Sequence, residues 1–146
     1  MAETSDKLFR CKVIAPSGTR MDCNVLSVEV PAHDGQLGVL AGHMPIFCQL
    51  ALGLMKVAQV NPDLPGRTLD HELIIDGGFV MVANNSLTVI AYEVLTLEDL
   101  QGEGLEDLQT QLKHSLERAQ TQEERLHDHK KIELVKRLAS ADSTHP

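Results

Sequence analysis

Val80-Met81-Val82-Ala83-Asn84-Asn85-Ser86-Leu87-Thr88-Val89-Ile90-Ala91-Tyr92 is two runs of aliphatic and β-branched residues joined by three that tolerate a tight bend. Asn adopts the left-handed backbone conformation at little cost, so Asn84-Asn85-Ser86 reads as the turn of a β-hairpin. The same grammar extends back to Lys7: short Val/Ile/Leu-rich runs separated by Gly, Pro, Asn and Asp, the pattern of an all-β sandwich or barrel. Phe9, Cys11 and Val13 share one face of the first run. Leu26, Val28 and Val30 share one face of the second, with Ser27 and Glu29 opposite. Pro16-Ser17-Gly18 is read as the turn between these two runs. Further runs are Leu37 to Leu40, Phe47 to Leu52, Leu54 to Val60, Glu72 to Asp76, Val80 to Ala83 and Leu87 to Tyr92. Bends are expected at Asp34-Gly35, Asn61 to Gly66 and Gly77-Gly78.

After Thr96 the grammar changes. Leu, Gln, Glu, Lys and Arg dominate, and no Gly or Pro interrupts Leu105 to Leu138, which predicts helix. Leu105, Leu108, Leu112, Leu116 and Ala119 form one apolar stripe at spacings of three and four; Ile132, Val135, Leu138 and Ala139 form a second. Between them Gln120 to Asp128 offers only Leu126 as a large apolar group, and Thr121 with Glu124 has the spacing of a capping box that opens a new helix. The reading is a helical hairpin, with one long helix as the alternative. Charge is polarised along this tail. Leu97 to Glu124 holds eight acids and two bases, whereas Arg125 to Leu138 holds two acids and five bases. Lys130, Lys131, Lys136 and Arg137 suit a helix C-terminus, which accounts for much of the pattern; an acidic protein partner is the sharper alternative.

Composition narrows the function classes. Aromatic residues make up 3% of the chain and Trp is absent, so the core must be aliphatic. A net charge of -8 opposes binding to a phosphate backbone, which needs clustered Lys and Arg; no nucleic acid is expected. Cys11, Cys23 and Cys48 are odd in number, lack a CxxC spacing and sit in apolar segments, as reduced small hydrophobes do. The opening Met-Ala-Glu-Thr-Ser-Asp lacks the pattern of a signal or transit peptide. The longest apolar run, Pro45 to Met55, is far below the ~20 residues that span a bilayer, so membrane association is expected only through a partner.

No catalytic constellation assembles. His127, Asp128 and His129 resemble a metal cluster in composition, but at a spacing of two on a helix the imidazoles point about 200° apart. His43 has no recurring Ser, Cys or acidic partner, which favours a hydrogen-bonded turn histidine over a general base. Gly35 to Gly42 lacks the Lys-Ser/Thr ending of a phosphate-binding loop. Catalytic residues, cofactors and metals are therefore all expected to be none, leaving a binding or structural protein.

Val28-Glu29-Val30-Pro31-Ala32-His33-Asp34-Gly35-Gln36-Leu37-Gly38-Val39-Leu40-Ala41-Gly42-His43-Met44-Pro45-Ile46 resembles the hallmark of ATP synthase epsilon subunits, approximately V-x-x-P-x-x-x-G-E-L-G-V-L-x-G-H-A-P-L. Ile75-Asp76-Gly77-Gly78-Phe79-Val80-Met81-Val82, followed by Asn84 and Leu87 to Ala91, looks like the family's paired strands near the end of its sheet domain. With Val13 to Gly18 the resemblance covers roughly residues 7 to 95.

The resemblance implies an α+β chain: a flattened β-sandwich of about ten strands over residues 1–95, then a helical hairpin over 96–146 with regulatory potential and a disordered tail. It implies a non-catalytic rotor subunit that packs on gamma and rests on the c-ring. Asp34, Gly35, Gln36, Leu37 and Gly38, as a loop, and His43 fall where similar proteins approach the c-ring. Gln36 stands in place of the family's usual Glu, which removes one ion pair, and Met44 replaces the common Ala. The tail departs further from the family: in many relatives it can rise along gamma and meet an acidic segment of the β subunits, impeding ATP hydrolysis, and the net-positive segment with Lys130, Lys131, Lys136 and Arg137 is expected to play that part here, with the alpha/beta subunits as partners. Leu97-Glu98-Asp99-Leu100-Gln101-Gly102 lacks the Arg-Ala of the relatives' ATP motif, so no tight ATP site is expected. The expected location is the cytoplasmic side of a bacterial inner membrane, a plastid-encoded counterpart being the other option. The competing readings are a free-standing β-sandwich regulator with a helical tail, and a small sandwich enzyme.

Overall fold

The computed structural model describes residues 7–143, with the backbone alone for 141–143; the expected tail at the chain end lies outside the described residues. Strands β1 (Phe9–Ala15), β2 (Gly18–Val25), β3 (Ser27–Ala32), β4 (Gly35–Leu40), β5 (Ile46–Val60), β6 (Thr68–Ala83), β7 (Ser86–Ala91) and β8 (Val94–Leu95) precede a 3-10 turn (Glu98–Leu100) and two helices, α1 (Gly102–Arg118) and α2 (Gln122–Ser143). The chain divides into two compact units at Val94/Leu95. The class is α+β, a sandwich followed by a helical hairpin.

Hydrogen bonding orders the strands β2-β1-β7-β6-β5-β3-β4, with β8 on β6. The β1–β7 pair is parallel and the other ladders of that path are antiparallel. The inward faces carry Phe9, Cys11, Val13, Val28, Val30, Val39, Met55, Val57, Ile75, Val80, Val82, Leu87 and Val89, all 3% exposed or less. Each fully buried aliphatic side chain contributes roughly 1.5–3 kcal/mol, so the aliphatic core expected from composition is what holds the sandwich closed.

The eight runs read from the sequence become six strands, because two pairs of them are single long strands, and β2 and β8 bring the count to eight against the about ten implied by the resemblance. β5 has 15 residues and β6 has 16. In both, the inward phase flips: Leu50 faces the core and then Met55 and Val57 do; Leu73 and Ile75 face it and then Val80 and Val82 do. Each long strand therefore creases in the middle and serves both layers. Glycine permits the crease in β6. Gly77 and Gly78 have φ of 73° and 127°, and a Cβ on Gly78 would lie 2.1 Å from the Ile90 carbonyl oxygen. The pair is thus not the turn expected from sequence. In β5 the β3 register slips between Glu29 and Ala32, and a Cβ on Gly53 would lie 2.6 Å from the Pro31 Cβ.

β2 escaped the sequence reading because Gly-Thr-Arg-Met-Asp-Cys-Asn-Val is a polar edge strand with little apolar alternation. The Asn84–Asn85 hairpin turn is as expected, both residues having positive φ, 53° and 58°.

In the second unit α1 stops at Arg118 and α2 restarts after Thr121, so the long single helix is excluded. The Thr121 hydroxyl accepts the Glu124 amide at 3.1 Å, and the Glu124 carboxylate accepts the Gln120 amide at 2.9 Å. That is a capping box displaced by one residue on its return arm. Leu112, Val135 and Leu138 are buried, and the Ser115 hydroxyl donates to Asp128 at 2.9 Å.

Candidate docking surfaces

The hairpin joining β3 to β4 has only two residues outside its ladder, His33 and Asp34, because Ala32 pairs with Gly35. Of the stretch expected as a loop, Asp34 alone is in the turn; Gly35, Gln36, Leu37 and Gly38 open strand β4. Asp34, Gly35 and Gln36 are exposed and Leu37 is half-buried. With Ile46, Phe47 and Gln49 they line a shallow groove of about 530 Å³ at one end of the sandwich. Gly38 and His43 are not in its lining.

His43 belongs to a second cluster. Its amide donates to the Leu40 carbonyl at 3.2 Å, and its Nδ1 lies 2.7 Å from the Met44 carbonyl oxygen. A carbonyl only accepts, so Nδ1 carries the proton. The preceding Gly42 amide donates to the Asn85 side-chain oxygen at 3.0 Å, and the Asn85 side-chain amide donates to the Leu8 carbonyl at 2.9 Å. The histidine is therefore a turn former, as the sequence suggested.

Sequence reasoning missed the outer apolar face. Phe47 (68% exposed), Met81, Ile90 and Tyr92 project outward from β5, from β6 and from the segment beginning at β7. Phe47 stacks on Phe79 with centroids 5.5 Å apart, and Phe79 meets Tyr92 edge-on at 6.4 Å. Phe47 opposes Met81, and Phe79 opposes Ile90. Phe47 and the sole Tyr are thus exposed, with half-buried Phe79 between them, and Phe9 alone of the aromatic side chains joins the largely aliphatic core. A contiguous exposed aromatic patch marks a binding surface. The available signal was the odd-numbered parity of Phe47, Phe79 and Met81 against half-buried Cys48 and buried Val80 and Val82.

The four candidate bases on α2 are not equivalent. Lys130, Lys136 and Arg137 are exposed, with Lys130 and Arg137 about 20° apart around the helix. Lys131 is only 8% exposed and falls on the buried face of Asp128, Val135 and Leu138. A cleft of about 850 Å³ between α1 and α2 is lined by His114, Ser115, Arg118, Glu124, His127 and Asp128, among others. His127 Nδ1 lies 3.5 Å from Asp128.

Among the described residues no group of three or more His, Cys, Asp or Glu is placed to hold a metal ion, and no helix is long and apolar enough to cross a membrane. The three cysteines are free; burial pushes the Cys11 thiol up to about 12 and raises Cys23 and Cys48 as well.

Residues 8–96 match the family described as ATP synthase, Delta/Epsilon chain, beta-sandwich domain. The chloroplastic ATP synthase epsilon chain of Porphyra purpurea is 32% identical over 104 residues, covering 69% of this chain and 72% of the relative. The ATP synthase epsilon chain of Pelotomaculum thermopropionicum is 30% identical over 96 residues, 66% of each. A chain of the Euglena gracilis mitochondrial ATP synthase, in a structure of OSCP, F1 and c-ring, superposes with a TM-score of 0.62 at 20% identity, covering 92% of this chain and 81% of that one. A chain of the Tetrahymena thermophila mitochondrial ATP synthase central stalk and c-ring superposes at 0.59 and 12% identity, covering 89% and 95%. The low-identity structures carry the fold and the sequence relatives carry the family: the chain belongs to the ATP synthase delta/epsilon chain family.

Proposed function

We propose that the protein is a non-catalytic central-stalk subunit of an F-type, proton-translocating ATP synthase, coupling c-ring rotation to gamma. The observation that carries this is the family match over 8–96, which spans the sandwich on which the exposed aromatic face is built. Torque transmission needs a stiff body and a large specific interface, and a creased sandwich with an aliphatic core supplies the first. The Phe47/Phe79/Tyr92 face supplies an apolar anchor of the kind that dominates stable interfaces; gamma is its proposed occupant. The Asp34–Leu37 groove is the proposed c-ring contact, Gln36 offering hydrogen bonds where a Glu would offer an ion pair.

The helical hairpin is the proposed regulatory part. Lys130, Lys136 and Arg137 form its accessible basic surface for an acidic segment of the alpha/beta subunits, with Lys131 serving the hairpin itself. The stretch Leu97 to Gly102 still argues against a tight ATP site. As a subunit of the complex the protein associates with the membrane peripherally, through its partners; the cytoplasmic side of a bacterial inner membrane is the proposed location.

The test is calorimetric titration and co-purification with the gamma subunit of the same organism, using the full chain and residues 1–95. One-to-one binding by both is expected. Absence of binding by the full chain would return the protein to the free-standing regulator reading.

A further inference from the structure

β4 is one end of the sheet order and, among the described residues, pairs only with β3. Proteins blunt such edges with charge, proline or bulges. β4 has none of these: Gly35-Gln36-Leu37-Gly38-Val39-Leu40 is uncharged and keeps an unbroken register with β3. In a two-residue hairpin the closing pair, here Ala32 and Gly35, exchanges hydrogen bonds, and the ladder then alternates. Leu37 and Val39 therefore turn their backbone groups to β3, while Gln36, Gly38 and Leu40 turn theirs outward. The Leu40 carbonyl, which by this parity should lie outside the ladder, indeed accepts the His43 amide at 3.2 Å. All three outward residues are exposed, Leu40 at 65%.

The face beside this edge has a defined chemistry. Gly38 opposes Glu29, Glu29 opposes Lys56, and Lys56 opposes Glu72; in the next row Leu40 opposes Ser27, Ser27 opposes Ala58, and Ala58 opposes Asp70. These rows line a groove of about 660 Å³. They hold three carboxylates against one lysine. Gly38 has no side chain, and the space a Cβ would fill there is open. A long basic side chain on a strand laid against β4 therefore has a clear path over Gly38 to the Glu29 carboxylate.

We infer that the β4 edge is completed by an extended segment of the gamma subunit, adding a strand along the backbone of Gln36, Gly38 and Leu40, with an Arg or Lys opposite Gly38 reaching Glu29 and an apolar residue beside Leu40. This deepens the rotor reading and rests on it. The same carboxylate rows disfavour a second copy of this chain, which would bring like charges together across the junction.

The test is hydrogen exchange of the full chain, free and bound to its cognate gamma subunit, with affinities for Gly38→Pro and Glu29→Lys. Gly38→Pro deletes an outward amide and leaves the β3–β4 bonds of Leu37 and Val39 in place. Slowed exchange at Gln36, Gly38 and Leu40 on binding is expected, with each variant weakening affinity about tenfold while Leu37 and Val39 stay protected. Tight gamma binding with those three amides exchanging as in the free protein overturns the inference and spares the rotor reading. No gamma binding by the wild-type chain overturns both. Protection at the edge in the free protein that grows with its concentration identifies a second copy as the occupant and overturns the inference as well.

Discussion

The side-chain oxygen of Asn85, in the β6–β7 turn, accepts the amide of Gly42, 43 residues earlier, at 3.0 Å. One exposed side chain thus fastens the turn that carries His43 to the end of the sandwich, and its amide nitrogen holds the Leu8 carbonyl as well. Asn85 is also at positive φ. Replacement by Gly keeps the backbone conformation and removes both bonds, for an expected loss of about 1 kcal/mol. Replacement by Ala adds the strain of a left-handed L-residue, for a total of about 2–3 kcal/mol. Chemical denaturation of both variants checks the order; equal losses would mean that backbone strain contributes nothing at this turn.

Gly78→Ala places a methyl group 2.1 Å from the Ile90 carbonyl oxygen at a φ of 127°. The obstacle is backbone on the adjacent strand, so neither side can yield cheaply. A loss of about 4 kcal/mol or more, or failure to fold, is expected. Gly38→Ala, with open space and no positive φ, should stay within about 0.5 kcal/mol of the parent. Thermal melts of the two side by side separate a conformational requirement from a general intolerance of the sheet.

Thr121→Ala removes the acceptor for the Glu124 amide at the start of α2. About 1 kcal/mol of hairpin stability should go with it, read as faster amide exchange in the first turn of α2 and no change in β1. Unchanged exchange at Glu124 would show that water replaces the hydroxyl without loss.

Arg10 and Asp22 pair at 2.6 Å on the surface of β1 and β2. The guanidinium holds the Asp22 carboxyl below the usual carboxylate range, first through their hydrogen bond. A carboxyl whose folded value is depressed stabilises the fold above its unfolded value, near 4, and that contribution is lost as pH falls through the folded value. Asp22→Asn should therefore lower the melting temperature only slightly at neutral pH, the pair being solvent-screened, and converge with the parent below pH ~4, so that its acid decline is the shallower of the two. An identical acid limb in both proteins would mean the pair carries no linkage.

Burial raises the Cys11 thiol to about 12 and raises Cys23 and Cys48 less, so the thiolate fraction is small throughout at neutral pH. A thiol reagent should label Cys48 and Cys23, which are partly exposed, before Cys11, which reacts only on unfolding. Rapid labelling of Cys11 in the native protein would contradict the packing of β1.

Much of this protein was fixed by local chemistry. Alternation at Phe9-Cys11-Val13, the Asn84-Asn85 turn, the Leu105-to-Ala119 stripe and the Thr121/Glu124 box each need only neighbours within a few residues, because strand, turn and cap preferences are short-range. The hallmark from Val28 to Ile46 carried the family for the same reason. What only the tertiary structure decided depends on residues far apart in the chain. β5 and β6 are single creased strands because Gly53 meets Pro31 and Gly78 meets Ile90. Lys131 is buried while Lys130 is exposed because one residue turns the helix about 100°, toward Leu112's side of the hairpin or away from it. Phe47 and Phe79 lie outside the core because their parity is set by the register against Met81 and Ile90. A sequence states which residues are apolar; which face of a strand they occupy is settled only when its partners are in place.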